Sequence, residues 1–195
     1  MDRILNMRRI AGLSSALVLA LTATACGEKA EETVEAPAAD TAPAATAATD
    51  WVHVDDAAKT VMVDVVSGKD AINNNWNFNG FANGNATVTV PTGYKVTINF
   101  TNNDPNMAHS IGVAPKATPF SATPTTEPVF AGAVSPNPTS MTDATTKGEN
   151  DVVTFTADKA GEYALICYVP GHAAAGMWIN FTVADGATAG VAAGM

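Results

Sequence analysis

The sequence predicts an all-β protein built as an antiparallel β-sandwich, and three observations carry that expectation. Short runs alternate apolar and polar residues with a period of two. No run shows the spacing of an amphipathic helix. Pro, Gly, Asn and Asp punctuate the runs as turns. Many short strands at this spacing are the pattern of a sandwich.

The first run is TVMVDVV at 60–66, and ATVTV follows at 86–90. YKVTINFT at 94–101 places Tyr94, Val96, Ile98 and Phe100 on one face and Lys95, Thr97 and Asn99 on the other. DVVTFTA at 151–157 sets Val153, Phe155 and Ala157 against Thr154 and Thr156. EYALICYV at 162–169 and MWINFTV at 177–183 complete the set, with turns at PTG (91–93) and ADKAG (157–161). Residues 114–150 break the rhythm. This stretch is rich in Pro, Thr and Ser and reads as a long loop, with a short strand at most around EPVFAGAV.

The ends read differently. Arg3, Arg8 and Arg9 precede an apolar run from Ile10 to Leu21, and small residues follow. That order marks residues 1–25 as a secretory signal, too short to span a membrane. LTATAC, ending at Cys26, resembles the lipobox of bacterial lipoproteins, which implies a lipid on Cys26 and an exported chain anchored to a membrane, facing the periplasm or cell exterior. Residues 26–50 are Ala-, Pro-, Thr- and Glu-rich, a flexible linker with a span of roughly 25–30 Å. The remaining 51–185 is one domain's worth of chain, and 186–195 reads as a flexible tail.

The formal net charge is −9, and all three arginines fall in the signal. Such a chain has few cations to offer phosphates, so nucleic acid is excluded as a partner. The chain has 2 cysteines. With Cys26 lipidated, Cys167 has no disulfide partner, and metal ligation would protect a lone thiol in an oxidising compartment.

Cys167 opens ICYVPGHAAAGMW, where His172 and Met177 follow at intervals of five. A cysteine hydrolase would need an orienting Asn or Asp and an oxyanion hole, and nothing local supplies them. Haem attachment needs C-x-x-C-H. A thioether is a poor zinc ligand. A thiolate, two imidazoles and a weak axial Met suit one type 1 copper ion. The second imidazole comes from His53 or His109. His109 starts a strand after YKVTINFT and is the expected ligand; His53, in WVHVDD, is expected at the surface. With only 3 histidines in the chain, a multicopper enzyme is excluded. A non-redox copper carrier or metallochaperone of the cell envelope stays as the alternative, distinguished by open, exchangeable sites.

Cys167-x4-His172-x4-Met177, with His109 and Ser110 upstream, resembles the cupredoxins, and within them sulfocyanin and rusticyanin. Residues 75–113 are similar to sulfocyanin in particular, with Trp76-Asn77-Phe78-Asn79-Gly80 matching its aromatic–Asn motif. The resemblance implies a Greek-key sandwich of the cupredoxin fold and a blue copper electron-transfer protein that is not an enzyme. It implies His109, Cys167, His172 and Met177 as ligands. Partners would be redox proteins, cytochromes or respiratory complexes, met by a monomer. Ser110 is expected to donate, by backbone or hydroxyl, toward the Cys167 sulfur. WNFNGFANGN has two readings, a lid of aromatics over the sandwich end and core packing; the second is simpler, so Trp76 and Phe78 are expected in the core. The uncharged Pro170 and Ala173–Ala175 are expected to surround a partly exposed His172, and their dryness to raise the potential.

Overall fold

The computed structural model describes residues 50–194. The expected signal, Cys26 and the linker as far as residue 49 lie outside the described residues. Among those described, nine strands form two sheets, and the one helical segment is a single 3-10 turn at Ile72–Asn75. One sheet has the order β1 (Val52–Asp55), β2 (Thr60–Ser67), β4 (Lys95–Asn102), β6 (Asn150–Thr156). The other runs β5 (Gly112–Pro115), β7 (Gly161–Ile166), β8 (Trp178–Ala184), β3 (Ala86–Pro91), β9 (Gly190–Ala193).

Alternation decides which face is buried. In β4, Val96, Ile98 and Phe100 are completely buried while Lys95 is exposed. They meet Val61, Val63 and Val65 of β2 and Val153 and Phe155 of β6, and pack against Val88, Leu165, Ile179 and Phe181 of the opposite sheet. Phe78 closes on Phe100 edge to face, with ring centroids 6.1 Å apart.

The sandwich is as expected, but its sheets are mixed rather than purely antiparallel. β2 pairs parallel with β4, Val61 opposite Val96, and β3 pairs parallel with β8, Val88 opposite Phe181. The chain leaves β2, crosses to the other sheet as β3 and returns as β4, which restores its direction; parallel neighbours need such a crossover. A period of two is the same for both pairings, so the sequence pattern carries no sign of it.

The tail expected at 186–195 is also corrected. Gly190–Ala193 is a strand that pairs antiparallel with β3, and Val191 is buried opposite Val88. One Val among Gly and Ala gives little signal, but it covers an edge that would otherwise present unpaired backbone groups.

The long loop expected at 114–150 is trimmed by β5 and β6 to 116–149, and part of it lies on the outer face of the second sheet. Its Phe120 lies 5.2 Å from Trp178, ring to ring, within a small cluster holding Ile166, Tyr168 and Ala173. Its Phe130 enters the main core, 5.4 Å from Phe155 and stacked on it. The short strand considered near EPVFAGAV amounts to one isolated bridge, Gly112 to Val134.

Candidate metal centre

Four sequence-selected residues meet at one end of the sandwich. β7 stops at Ile166, so Cys167 turns out of the sheet, and Met177 directly precedes β8. The intervening loop is pinned by its own backbone. Cys167 N–H donates to the Met177 carbonyl at 3.1 Å, and Met177 N–H donates to that of His172 at 2.9 Å. His109 arrives from the β4–β5 connection and is held by its N–H on the Thr145 carbonyl, 3.0 Å away. All four side chains are buried, none more than 1 % exposed. His53 is on the surface, 3.1 Å from Asp64, and takes no part.

The donor atoms converge. His109 Nδ1, His172 Nδ1 and Cys167 Sγ lie within 4.8 Å of one another. The nitrogens are 3.1 Å apart, and the sulfur is 3.4 Å from His172 and 3.9 Å from His109. The point equidistant from these three atoms is about 2 Å from each, the length of a nitrogen bond to a first-row divalent metal. His109 Nε2–H donates to Asp104 Oδ2 at 2.8 Å, so its Nδ1 presents a bare lone pair to the centre. Two imidazoles and a thiol around a space of that size, with Met177 closing the loop beside them, are arranged as a type 1 copper site.

Burial sets the protonation of the set. His172 is pushed down to about 4, first by desolvation and then by His109, with Asp104 opposing. His109 is lowered by desolvation against the pull of Asp104. The Cys167 thiol is pushed up to about 11 by desolvation, against hydrogen bonds from the Ser110 and Val169 backbone and the Ser110 hydroxyl. Both histidines therefore stand neutral, as ligands must, and the thiol needs a cation to ionise. Between the ordinary imidazole value of 6.5 and about 4, the unfolded chain binds a proton that folded His172 refuses. The metal-free protein is expected to lose stability as pH falls through that window, by roughly 2–3 kcal/mol from His172. Denaturant midpoints measured between the two limits check this; a midpoint that does not move overturns it.

Ser110 reaches the sulfur chiefly through its backbone. Its hydroxyl donates to the Pro138 carbonyl at 2.8 Å and accepts the Tyr168 N–H at 2.9 Å, so its proton is already placed. The sulfur receives the Ser110 backbone N–H at 3.4 Å, and the Ser110 hydroxyl lies farther off, at 3.7 Å.

Trp76 packs against the core from its edge rather than within it. It is half-buried and stacks on His172, with ring centroids 4.0 Å apart and planes 22° from parallel. His172 itself is 1 % exposed, so the partly exposed imidazole edge expected from the sequence is absent: Trp76 covers it. Phe78 does lie in the core, as expected.

An Asn-rich loop holds the tryptophan there. Asn73, Asn74 and Asn75 adopt φ of 50°, 58° and 66°, the left-handed region that Asn tolerates better than most residues. Asn73 Nδ2 donates both to the Trp76 carbonyl at 2.9 Å and to the Ala175 carbonyl of the ligand loop at 3.0 Å. Asn83 N–H donates to the Gly176 carbonyl at 2.8 Å. The segment between β2 and β3 thus clamps the ligand loop from outside through Asn73 and Asn83, a role for these asparagines that residue types and spacing alone did not disclose.

Asp104 was missed for a similar reason. It stands five residues before His109 in an ordinary-looking turn sequence, and only the folded turn aims it at the imidazole.

Comparison with known proteins places the chain in a family. The sulfocyanin (SoxE) domain family matches residues 47–193. A rusticyanin of Acidithiobacillus ferrooxidans is 32 % identical over 100 residues, 51 % of this chain and 50 % of that one. The sulfocyanin of Sulfolobus acidocaldarius is 27 % identical over 136 residues, 67 % of each chain. The chain thus spans about half the length of the rusticyanin it matches. A solved rusticyanin from Thiobacillus ferrooxidans gives a TM-score of 0.43 at 25 % identity, over 69 % of this chain and 86 % of that one.

Proposed function

From the premise that this chain belongs to the sulfocyanin family of cupredoxins, we propose that it carries single electrons between redox proteins of the cell envelope. The observation that carries this reading is the convergence of His109, Cys167 and His172, with Met177 beside them, in a buried and braced site. Copper bound there supplies a one-electron couple. The chain supplies ligands that do not rearrange: His109 is fixed by Asp104, His172 by the Trp76 stack, Cys167 by its N–H on the Met177 carbonyl, and Met177 by its N–H on the His172 carbonyl. Preorganisation of this kind lowers the cost of switching oxidation state. A carrier that hands copper on needs donors its partner can reach, and these are shut from solvent.

Colour and titration test the reading. The copper(II) protein is expected to absorb strongly in the orange-red, from thiolate-to-copper charge transfer, and to take up one electron reversibly. A colourless copper(II) form would remove the type 1 assignment.

Electrons leave through the ligand-loop end. Trp76 stacks on His172 there, and Pro170, Ala174 and Ala175 are exposed and uncharged beside it. Ala174→Glu is expected to slow reduction by a protein partner on the order of tenfold and to lower the midpoint potential. Stopped-flow rates and a redox titration check both, and unchanged values in both would move the docking patch elsewhere.

The domain is tethered to a membrane through a lipid on Cys26, and works as a monomer. The sequence LTATAC and the linker after it support the tether. Among the described residues no helix is long and apolar enough to cross a membrane. Mass spectrometry of the mature chain is expected to find an acylated Cys26 at its N-terminus.

A further inference from the structure

We propose that Asp104 sets both the orientation of His109 and the sign of the effect that burial has on the redox balance of the site. This rests on the copper reading above. Asp104 is 2 % exposed and forms its one ion pair within the described residues with His109. Its two oxygens have separate tasks. Oδ2 accepts the His109 Nε2–H at 2.8 Å, and Oδ1 accepts the N–H groups of Asn106 at 2.8 Å and Met107 at 3.3 Å. Both oxygens are acceptors, so a carboxylate satisfies the position and an amide does not. An Asn there would turn its NH2 toward one set of donors.

The turn that places Asp104 is fixed from beneath. Its N–H donates to Asn102 Oδ1 at 2.8 Å, and Asn102 Nδ2 donates to the carbonyls of Met107 and Thr145, each at 2.8 Å. Gly68 lies against it so closely that a Cβ on Gly68 would come within 2.6 Å of the Asp104 nitrogen. The carboxylate therefore has no second place to go. It holds the imidazole of His109 in the tautomer that points Nδ1 inward, as carboxylates behind ligating histidines do.

The charge count follows. A thiolate and a divalent copper would leave a buried centre with one net positive charge, and one-electron reduction would make it neutral. A dry surround then favours the reduced form, which is the expectation drawn from the uncharged ligand loop. The Asp104 carboxylate shifts that balance by one charge. The oxidised centre becomes neutral, and the reduced centre carries an unbalanced negative charge in the same dry interior, where a net charge is costly. Burial therefore favours the oxidised form, and Asp104 lowers the potential.

Asp104→Asn and Asp104→Ser test this on the full copper-loaded chain. Serine keeps a hydroxyl acceptor for the turn while removing the charge, so it guards against a folding defect in the amide variant. Both are expected to shift the reduction equilibrium at least tenfold toward the reduced form, about 59 mV for a one-electron couple. The nitrogen-15 spectrum of the diamagnetic copper(I) protein is expected to show a protected His109 Nε2–H in the wild type that weakens or exchanges faster in both variants. Unchanged potential and an unchanged Nε2–H signal in blue, folded variants would overturn the inference. A wild type that never turns blue would instead overturn the copper reading, leaving the two failures distinguishable.

Discussion

Replacing Cys167 with serine is expected to abolish the orange-red absorption and weaken copper binding by more than a hundredfold. The thiolate is the one anionic member of the donor set and sits 3.4 Å and 3.9 Å from the two imidazole nitrogens. A hydroxyl at that position is a far harder ligand and ionises much less readily. The fold is expected to survive. Serine is nearly isosteric, and the Ser110 N–H that now points at the sulfur offers the new oxygen a donor. Burying that hydroxyl in place of a thiol costs about 1–2 kcal/mol. Copper titration followed by absorbance, beside a thermal melt of the copper-free protein, separates the two effects. A variant that stays blue would show that another residue supplies the colour. One that fails to fold would give Cys167 a packing role larger than its ligation.

The largest loss of stability is expected from Phe100→Ala. Phe100 is completely buried in β4 and meets Phe78 edge to face. Emptying an aromatic site between two sheets costs about 3–5 kcal/mol, a large share of the 5–15 kcal/mol that typically holds a domain. Val152→Ala on the neighbouring strand is the control, since Val152 is 59 % exposed and its loss is expected to cost about 0.5 kcal/mol or less. Urea midpoints of the two variants decide it; equal losses would mean that Phe100 is not where the sandwich closes. β4 also leads straight into the turn carrying Asp104 and His109, so the Phe100 variant is expected to weaken copper binding as well.

Much of this molecule was legible in its residue order. Alternation in YKVTINFT and DVVTFTA gave the strands and their buried faces, because the side-chain period of a strand is a local property of the backbone. The same period cannot tell parallel from antiparallel neighbours, so the mixed sheets emerged only from the crossover of the chain. β9 hid in a Gly/Ala tail because a single valine becomes a strand only where an edge waits for it.

At the site, three ligands were legible because one loop carries them at short spacing and their chemistry suits few ions. His109 followed by elimination among three histidines. The residues that govern those ligands were not legible. Trp76 is 96 residues from His172 in the chain, yet stacks on it, and Asn73 reaches Ala175 across 102 residues. Asp104 looked like any turn aspartate.

Residue type and local spacing, by themselves, determined the all-β class, the buried faces and the three donors of the ligand loop, since each depends on neighbours in sequence. Tertiary structure alone decided what covers His172, which atom of Ser110 lies nearer the sulfur, and where the nearest negative charge lies. Those depend on contacts between distant segments, and hydrogen bonding, stacking and electrostatics act over a few ångströms of space whatever the distance along the chain.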